Sequence, residues 1–288
     1  MWQAVCESLS LHLDQSIEYR SNRSVSGGCI NNAQVLETNY GSFFVKLNEP
    51  EHLPMFEAEA ESLKAIYTSK AIRCPQVILS AEIAKQAILV LEYIPMQSAQ
   101  PGSMAILGQQ LAALHGHHGH KFGWHIDNNL GLTPQPNTPK EDWISFFRQH
   151  RLEHQMSLCE RKGLKLTDRA ALLKNFGAFF TTHSPRPSLL HGDLWGGNVG
   201  FDSLGEPILF DPACYYGDRE ADLAFTEMFG GFSPEFYKSY NAVLPLDEGY
   251  RYRKRLYNLY HELNHFYLFG GGYGTQAQDT IRFLLGAL

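Results

Sequence analysis

The stretch "LLHGDLWGGNVG", residues 189–200, places two polar side chains five positions apart between two short apolar runs. These are Asp193 and Asn198, and Asp211 follows in "ILFDPA" at the end of another apolar run. Short apolar runs that end in polar residues are typical of strands whose ends meet at a cleft. The pattern therefore predicts that two carboxylates and an amide are held in one cleft.

The hydrophobic pattern of the chain changes near residue 100. Before that point "IEYRSNRSV", "NNAQVLET", "SFFVKLN", "PQVILSAEI" and "QAILVLEYI" have the character of strands, and "LPMFEAEAESLKAIYTSK" has the period of a helix. From Ser103 onward, long amphipathic helical segments dominate. The sequence predicts an α+β fold of two lobes, a small β-rich lobe over residues 1–94 and a larger, mostly helical lobe over residues 95–288.

The composition excludes several classes of partner. The 288 residues carry a formal charge of −6 and no long basic run, which argues against nucleic acid as the main partner. No apolar run approaches the roughly 20 residues that cross a bilayer, and the N-terminus lacks the basic start of a signal peptide. The five cysteines are scattered, odd in number and without a C-x-x-C pair, which is typical of reduced thiols in a cytoplasmic protein.

The spacing of Asp193 and Asn198 matches the D-x-x-x-x-N pattern of a kinase catalytic loop. In that arrangement Asp193 accepts the proton of a substrate hydroxyl, while Asn198 and Asp211 offer oxygen atoms to Mg²⁺. A single aspartate of this kind is more simply a turn or helix cap. Because all three residues follow apolar runs in the right order, we predict phosphoryl transfer from ATP, with residues 1–94 as the ATP-binding lobe.

Lys46 in "FFVKL" lies on a predicted strand and resembles the lysine that holds ATP phosphates. Alone, such a lysine is usually exposed to solvent, but here a helix with several glutamates follows. We predict an ion pair between Lys46 and Glu59 that fixes the ammonium group on the phosphates. Glu57 and Glu61 are alternatives, and Glu59 is preferred because helical spacing places it beside the apolar face that contains Phe56.

The nucleotide site has weaker signals elsewhere. Gly27 and Gly28 between two strands predict a loop over the phosphates, although an ordinary tight turn is an equal alternative. The backbone of Glu92, Tyr93 and Ile94 would pair with the adenine edge. Cys29 in the loop suggests redox control, in which oxidation blocks ATP or links two chains; a small turn residue is the alternative. The chain is thus expected to be a monomer or a redox-linked dimer.

Several residues near the catalytic segment predict a small acceptor. Few residues separate Asp211 from the helical "DREADLAF", so the chain has no room for an activation loop. Trp195 could stack on a sugar face or simply pack against the lobe. Asp218 and Glu220 give a negative field suited to a protonated amine. The alternative is a charged helix start with Arg219 as partner, which we prefer for Asp222, the third acid of this segment.

The segments "HGDLWGGN" and "DPACYYGDREADLAFTEMFGGF" resemble the fructosamine (ketosamine) kinase family. "GGCIN", "FVKLN", "FEAEAESL", "LVLEYI" and "FGWHIDNNLGLTPQPN" are also similar to family blocks, in family order. The resemblance implies a protein-kinase-like fold, ATP and Mg²⁺, and phosphorylation of the sugar 3-hydroxyl of ketosamines. It also implies that the phosphorylated adduct sheds the free amine, so that glycated proteins or metabolites are repaired.

Other functions are also considered. An aminoglycoside or choline-type kinase is the main alternative within the same enzyme class. A non-catalytic nucleotide-binding protein is disfavoured because Lys46, Asp193, Asn198 and Asp211 are all present. The motif "HELNH" at 261–265 matches the H-E-x-x-H helix of zinc hydrolases, but a third ligand is lacking, and we interpret it as a chance match. We expect "HGHHGH" at 115–120 to end a helix rather than to bind metal.

Overall fold

Alternating apolar residues in the first part of the chain form one antiparallel sheet. The computed structural model describes residues 1–25 and 32–288, so the predicted positions Gly27, Gly28 and Cys29 lie outside the described residues. The strands are β1 (Tyr19–Ser24), β2 (Asn32–Thr38), β3 (Ser42–Asn48), β4 (Val77–Ile83) and β5 (Gln86–Glu92), in the spatial order β1-β2-β3-β5-β4. The five strands predicted from the sequence are therefore present.

The central position of β5 explains why its side chains are apolar on both faces. Ile88 and Val90 belong to the core under α1 (Trp2–Leu13), and Ala87, Leu89 and Leu91 belong to the core under α2 (Leu53–Ser69). Successive side chains on a strand point to opposite faces, so a strand between two helices is buried throughout. Helix α1 was not predicted from the sequence, although its buried residues Val5, Cys6 and Leu9 have helical spacing.

The same alternation sets the direction of Lys46. Its neighbours Val45 and Leu47 are buried in the core with α1, so Lys46 points to the opposite face, toward α2. In the sheet Lys46 lies opposite Leu89 of β5, in the middle of the ladder. The register therefore places one cation beneath the helix that carries Glu59.

The helical part of the chain begins after a short connection. Strand β5 ends at Glu92 and α3 begins at Ser103, so the division predicted near residue 94 falls in this connection. The remaining helices are α4 (Trp143–Phe147), α5 (His154–Arg161), α6 (Arg169–Asn175), α7 (Glu220–Thr226), α8 (Pro234–Val243), α9 (Tyr250–Phe269) and α10 (Tyr273–Gly286), and α3 ends at His115. A π-helix over Arg148–Glu153 joins α4 to α5. In the described part of the chain, no helix combines the length and the apolar character that a membrane span needs.

The helical lobe also contains short strands, which pair two by two. They are β6 (Asn128–Leu130) with β7 (Thr133–Gln135), β8 (Ser188–Leu190) with β11 (Tyr215–Gly217), and β9 (Val199–Phe201) with β10 (Pro207–Leu209). Arg73 joins the two parts of the molecule. Its side chain forms ion pairs with Glu92 at 3.2 Å and Asp202 at 3.0 Å, and its carbonyl accepts from the Leu209 N–H at 2.9 Å.

Residues 117–187 form a long segment of the helical lobe, here called the excursion, whose two ends lie side by side and are hydrogen-bonded to each other. The Leu189 N–H donates to the His117 carbonyl at 2.8 Å, and the Gly119 N–H donates to the Pro187 carbonyl at the same distance. The segment "HGHHGH" thus ends α3, as predicted, and then pairs with the chain that leads into β8. His115 is fully buried and bonded to Tyr240 and Asp222, so the segment has a structural explanation.

Close packing of α3 against α8 depends on Gly108. A Cβ atom built on Gly108 would lie 2.4 Å from the carbonyl oxygen of Phe236. Alanine normally stabilises a helix relative to glycine. Here we expect Gly108→Ala to lower the free energy of unfolding by about 1–3 kcal/mol, because the helices must separate. Urea titration followed by circular dichroism measures the change.

The matched control is Gly286→Ala at the end of α10. A Cβ atom there meets no heavy atom within 4 Å outside its own helix in the described part of the chain. We expect this variant to be unchanged or more stable by up to about 1 kcal/mol. Equal effects at both positions would contradict the packing argument.

Candidate active site

Lys46, Glu59 and Asp211 meet at the boundary between the two lobes. The Lys46 Nζ atom lies 2.6 Å from Glu59 Oε1 and 2.6 Å from Asp211 Oδ1, and the lysine is 5% exposed. Burial alone would lower the pKa of Lys46, but the two adjacent carboxylates raise it above its usual value. The ammonium group is therefore charged, and the predicted pairing with Glu59 is present in the structure.

The segment after β8 carries Asp193 and Asn198 into the same cleft. A 3₁₀ turn over Gly196–Asn198 folds the asparagine back, so that its Nδ2 donates to the Asp193 carbonyl at 2.8 Å and to Asp193 Oδ2 at 3.0 Å. Because the amide nitrogen is used in this way, the Oδ1 oxygen is the atom left to act as a ligand. One cavity of about 110 Å³ is lined by Asp193 and Asp211 together with Lys46 and Glu59.

The described residues that line the cavity carry more negative than positive groups. Three of them are carboxylates, those of Glu59, Asp193 and Asp211, and one is an ammonium group, that of Lys46. Burial and the nearby Asp211 raise the pKa of Asp193 to about 7, although its hydrogen bond with Asn198 opposes the shift. A carboxylate with such a pKa is suited to accept a proton near neutral pH.

Asp222, at the start of α7, supports the backbone of the catalytic segment. It is 2% exposed, and its two oxygens accept from the His191 N–H at 2.7 Å and the Gly192 N–H at 2.9 Å. Burial alone would raise the pKa of Asp222, but the hydrogen bond from His115 and the charge interactions hold it below its usual value. The sequence predicts Arg219 as its partner, and that prediction is wrong, because Arg219 donates instead to the carbonyls of Leu244 and Pro245, which follow α8.

Two backbone positions in the site have left-handed conformations. Gly192 has φ of 82°, and a Cβ atom there would lie 2.1 Å from the Ala213 carbonyl oxygen, so only glycine fits. Asp211 has φ of 56°, which aspartate tolerates better than most residues. Strained backbone of this kind is typical of functional sites, and here it directs the Asp211 carboxylate toward Lys46.

The backbone of residues 92–94, which is predicted to pair with the edge of adenine, forms one hydrogen bond within the protein instead. The Glu92 N–H donates to the Gln76 carbonyl at 2.8 Å, so this N–H group is not free to pair with adenine, while the pairing of the rest of the segment with adenine stays a prediction. The Tyr93 hydroxyl accepts from Arg23 at 2.7 Å, and Ile94 is 7% exposed. The segment 92–94 still lies between the lobes, where it was expected.

Trp195, two residues after Asp193 in the chain, is partly exposed to solvent. Its side chain is 39% exposed and packs edge-to-face on Phe229, with ring centroids 5.9 Å apart. One edge of the indole thus packs against the lobe, as the packing alternative expects, while the rest is accessible, and stacking of Trp195 on a sugar face stays a prediction. An exposed aromatic ring beside Asp193 offers a surface for an apolar or sugar face.

Asp218 and Glu220 are not at the cleft surface. Asp218 is 1% exposed and accepts from Tyr257 at 2.5 Å and from His183 at 2.8 Å. Glu220 is fully buried and forms a two-pronged ion pair with Arg253 at 2.6 and 2.9 Å. The prediction that these carboxylates meet a substrate amine does not fit the structure, because protein cations and hydroxyls already occupy them.

Two groups of residues outside the cleft resemble metal sites, a cluster around His183 and the "HELNH" motif. Within the described residues, the only cluster of three or more possible ligands is His183 with the buried pair Asp218 and Glu220. In the "HELNH" motif, His261 stacks on Phe225 at 3.6 Å and burial lowers its pKa well below the usual value. His261 and Glu262 therefore belong to the packing of α9, as the chance-match interpretation expected.

The cleft fits Mg²⁺ and a nucleotide by its donor set. Asp211 and the Oδ1 atom of Asn198 are hard oxygen ligands, which Mg²⁺ prefers. The excess of carboxylates over cations is the charge that a divalent ion would balance. Lys46 is the cation that would meet the phosphates.

The sheet, the helical lobe and the cleft between them define a protein-kinase-like fold. The structure superimposes on choline kinase from Streptococcus pneumoniae with a TM-score of 0.66 at 15% identity, covering 99% of this chain and 98% of that one. At this level of identity the likeness concerns the fold, and the predicted bilobal α+β class is confirmed.

The chain belongs to the fructosamine kinase family, whose family model matches residues 1–287. It is 44% identical over 282 residues to a protein named "Probable ketoamine kinase" from Synechocystis sp., covering 98% of this chain and 96% of the relative. It is 41% identical to "Protein-ribulosamine 3-kinase, chloroplastic" from Arabidopsis thaliana, covering 90% and 80%. A putative fructosamine-3-kinase from Haemophilus somnus has a TM-score of 0.92 at 31% identity, covering 99% of this chain and 98% of that structure.

Glu262 gives the stability of the protein a specific pH dependence. Burial raises its pKa from 4.5 to about 7, and its Oε1 accepts from Gln276 and Thr280. The folded state therefore binds this proton more tightly than the unfolded state, so the stabilisation is full below pH 4.5 and is lost as the pH rises to about 7. We expect Glu262→Gln to stabilise the protein by on the order of 1–3 kcal/mol at pH 8 relative to pH 5.

Urea titrations of the variant and the parent at both pH values measure this difference. The control is Glu57→Gln, an exposed change on α2 that should show no such pH dependence. A difference between variant and parent that is the same at pH 5 and pH 8 would contradict the prediction.

The buried pair of Arg253 and Glu220 should be sensitive to loss of one partner. We expect Arg253→Met to lower the free energy of unfolding by about 3–5 kcal/mol, because Glu220 would remain buried without its cation. The matched control is Arg282→Met, whose partner Asp279 is exposed and whose loss should cost less than about 1 kcal/mol. Thermal and urea unfolding of both variants measure these changes. Equal decreases in the free energy of unfolding would contradict the prediction that the buried ion pair matters more than the exposed one.

Proposed function

We propose that the protein is an ATP-dependent kinase that phosphorylates the sugar 3-hydroxyl of ketosamines. One observation carries the proposal: Asp193, Asp211 and Lys46 line one cleft, with Asn198 bonded to Asp193, in a chain that matches the fructosamine kinase family from residue 1 to 287. Relatives named as ketoamine and ribulosamine 3-kinases support this acceptor class. The expected product is a phosphorylated adduct that sheds its amine, so that the activity removes sugar from glycated amines.

The nucleotide would be held from both lobes. Lys46 would contact the phosphates while Glu59 keeps its ammonium group in place, and Asn198 and Asp211 would hold Mg²⁺. When bound, Mg²⁺-ATP supplies the phosphoryl group and the cation that balances its charge. The backbone of Tyr93 and Ile94 would face the adenine, whereas the Glu92 N–H is engaged with Gln76.

Asp193 would act as the base. Its carboxylate is oriented by the Asn198 amide, and its raised pKa, caused by burial and by Asp211, suits transfer of a proton from a sugar hydroxyl. Trp195, which is partly exposed, would offer an aromatic face to the acceptor. The neutral His191 holds this segment, because its Nδ1 accepts from the Asp193 N–H at 3.2 Å and its Nε2 donates to the Phe210 carbonyl.

Two further expectations stay predictions. A cytoplasmic location is supported by the four described cysteines, Cys6, Cys74, Cys159 and Cys214, which are buried and free. A monomer, or a dimer linked through an oxidised Cys29, stays a prediction, and Cys29 lies outside the described residues.

The proposal is tested by ADP release from Mg²⁺-ATP in the presence of a ribulosamine or fructosamine of lysine. We expect ketosamine-dependent turnover in the parent enzyme. In Asp193→Asn, kcat should fall by about 10²–10⁴, because the base is lost, while the KM for ATP changes little. Asp279→Asn on exposed α10 is the matched control and should retain the parent rate.

Choline and an aminoglycoside are measured in the same assay. Turnover with either one and not with a ketosamine would assign the main alternative, a kinase of another small acceptor. Parent-like turnover in Asp193→Asn would remove Asp193 from the proposed role.

A further inference from the structure

The hairpin of β6 and β7 forms one wall of the catalytic cleft. It lies within the excursion of residues 117–187, and β6 packs against α2, the helix that carries Glu59. Asn128, Asn129 and Gly131 of the hairpin line the same cavity as Asp193 and Asp211. The hairpin therefore brings residues 117–187 to the cleft.

Alternation along β6 separates its two asparagines. Asn128 and Leu130 are buried, at 5% and 2% exposure, and Asn129 between them is half-buried and lies on the opposite face of the strand. Asn128 donates to the Cys214 carbonyl at 2.9 Å and accepts from Gln135 at 2.8 Å. Both asparagines line the cavity, but the Asn128 amide is already bonded within the protein, so Asn128 is a structural anchor and, within the described part of the chain, Asn129 is the one whose amide is free to meet a ligand.

A buried network of amides holds the hairpin rigid. Asn137 donates to Asn128 Oδ1 at 2.8 Å and accepts from Arg151 at 2.7 Å, and the Tyr260 hydroxyl donates to Gln135 at 2.9 Å. The Arg151 guanidinium group also donates to the carbonyl of Pro136 at 2.6 Å and lies 4.1 Å from the Tyr215 ring centre. Such support fixes the strand, and with it the position of any side chain directed into the cleft.

The side chain of Asn129 takes no part in this network. Among the described residues its amide has no hydrogen-bond partner, and it lines a cavity with two aspartates and a lysine. The Thr133 hydroxyl of β7 also lacks a partner among them, but Thr133 is fully buried and does not line this cavity. An amide offers two donors and an acceptor, and it adds no charge to a cleft already rich in carboxylates. Neighbouring hydroxyls of a sugar chain present the matching acceptors and donors.

We propose that Asn129 is a specificity-determining residue that hydrogen-bonds a hydroxyl of the ketosamine sugar chain while the reacting hydroxyl faces Asp193. This inference rests on the proposed function and deepens it, because it names the side chain that recognises the acceptor. Asn129 acts in binding and takes no part in proton transfer. The rigid hairpin holds its amide at a set distance from the base, so that hydroxyl recognition and orientation occur together.

The test is the kinetics of Asn129→Ala and Asn129→Leu with a ribulosamine of lysine. We expect the KM for the ketosamine to rise by about tenfold, since one hydrogen bond to the acceptor is lost. The KM for ATP should stay within about twofold in both variants. The matched control is Leu132→Ala at the exposed tip of the same hairpin, which should behave as the parent.

Analogues of the ketosamine that lack one hydroxyl distant from the reacting carbon sharpen the test. With the analogue that lacks the bonded hydroxyl, the parent and Asn129→Ala should have equal KM values, because the interaction is absent from both. A penalty that persists with every such analogue would overturn the inference. An unchanged ketosamine KM in Asn129→Ala, or a rise in the KM for ATP instead, would overturn it as well.

These outcomes are separate from failure of the proposed function. A parent enzyme without ketosamine-dependent ADP release would overturn the proposed function and this inference with it. A parent enzyme that turns over ketosamines, with Asn129 variants that match it in every constant, would overturn the inference alone.

Discussion

The buried ammonium group of Lys46 is the constraint on which the arrangement of the lobes depends. A lysine that is 5% exposed is tolerated only if its charge is compensated, and its two partners come from separate parts of the chain. Glu59 belongs to α2 on the sheet, and Asp211 follows β10 in the helical lobe. The pairing therefore fixes the helix against the sheet and one lobe against the other, which is also the geometry that a nucleotide between the lobes requires.

The sequence was sufficient for those parts of the site that follow from local spacing. Strand alternation sets Lys46 opposite the apolar Val45 and Leu47, and helical spacing turns Glu59 rather than Glu57 toward the sheet. The strands of the first lobe were predicted for the same reason. The grouping of Asp193 with Asn198 also needs only one turn of chain. In each case the spacing along the sequence predicts the same side-chain direction that the folded structure has.

The errors arise where the role of a residue depends on a partner far along the chain. Asp218 and Glu220 look like accessible acids in the sequence, but His183 and Arg253, 35 and 33 positions away, enclose them. Asp222 resembles a charge at a helix start, yet it accepts the backbone N–H groups of the catalytic segment across 30 and 31 positions. An acidic helix start is compatible with either outcome, and only the tertiary fold decides which groups are buried.

The hairpin of β6 and β7 and the segment before Asp193 differ in the charge of the groups that hold them in place. Asp222, a buried carboxylate, holds the segment before Asp193, whereas mostly neutral groups hold the hairpin of β6 and β7. Its one cation, Arg151, donates to carbonyl and amide oxygens and lies over the face of Tyr215. A neutral network can orient a wall without adding carboxylates to a cleft that already contains three. Burial and the carboxylates of Asp211 and Asp222 raise the pKa of Asp193, and the hairpin, which adds no carboxylate, can carry the proposed recognition of hydroxyl groups without changing that pKa.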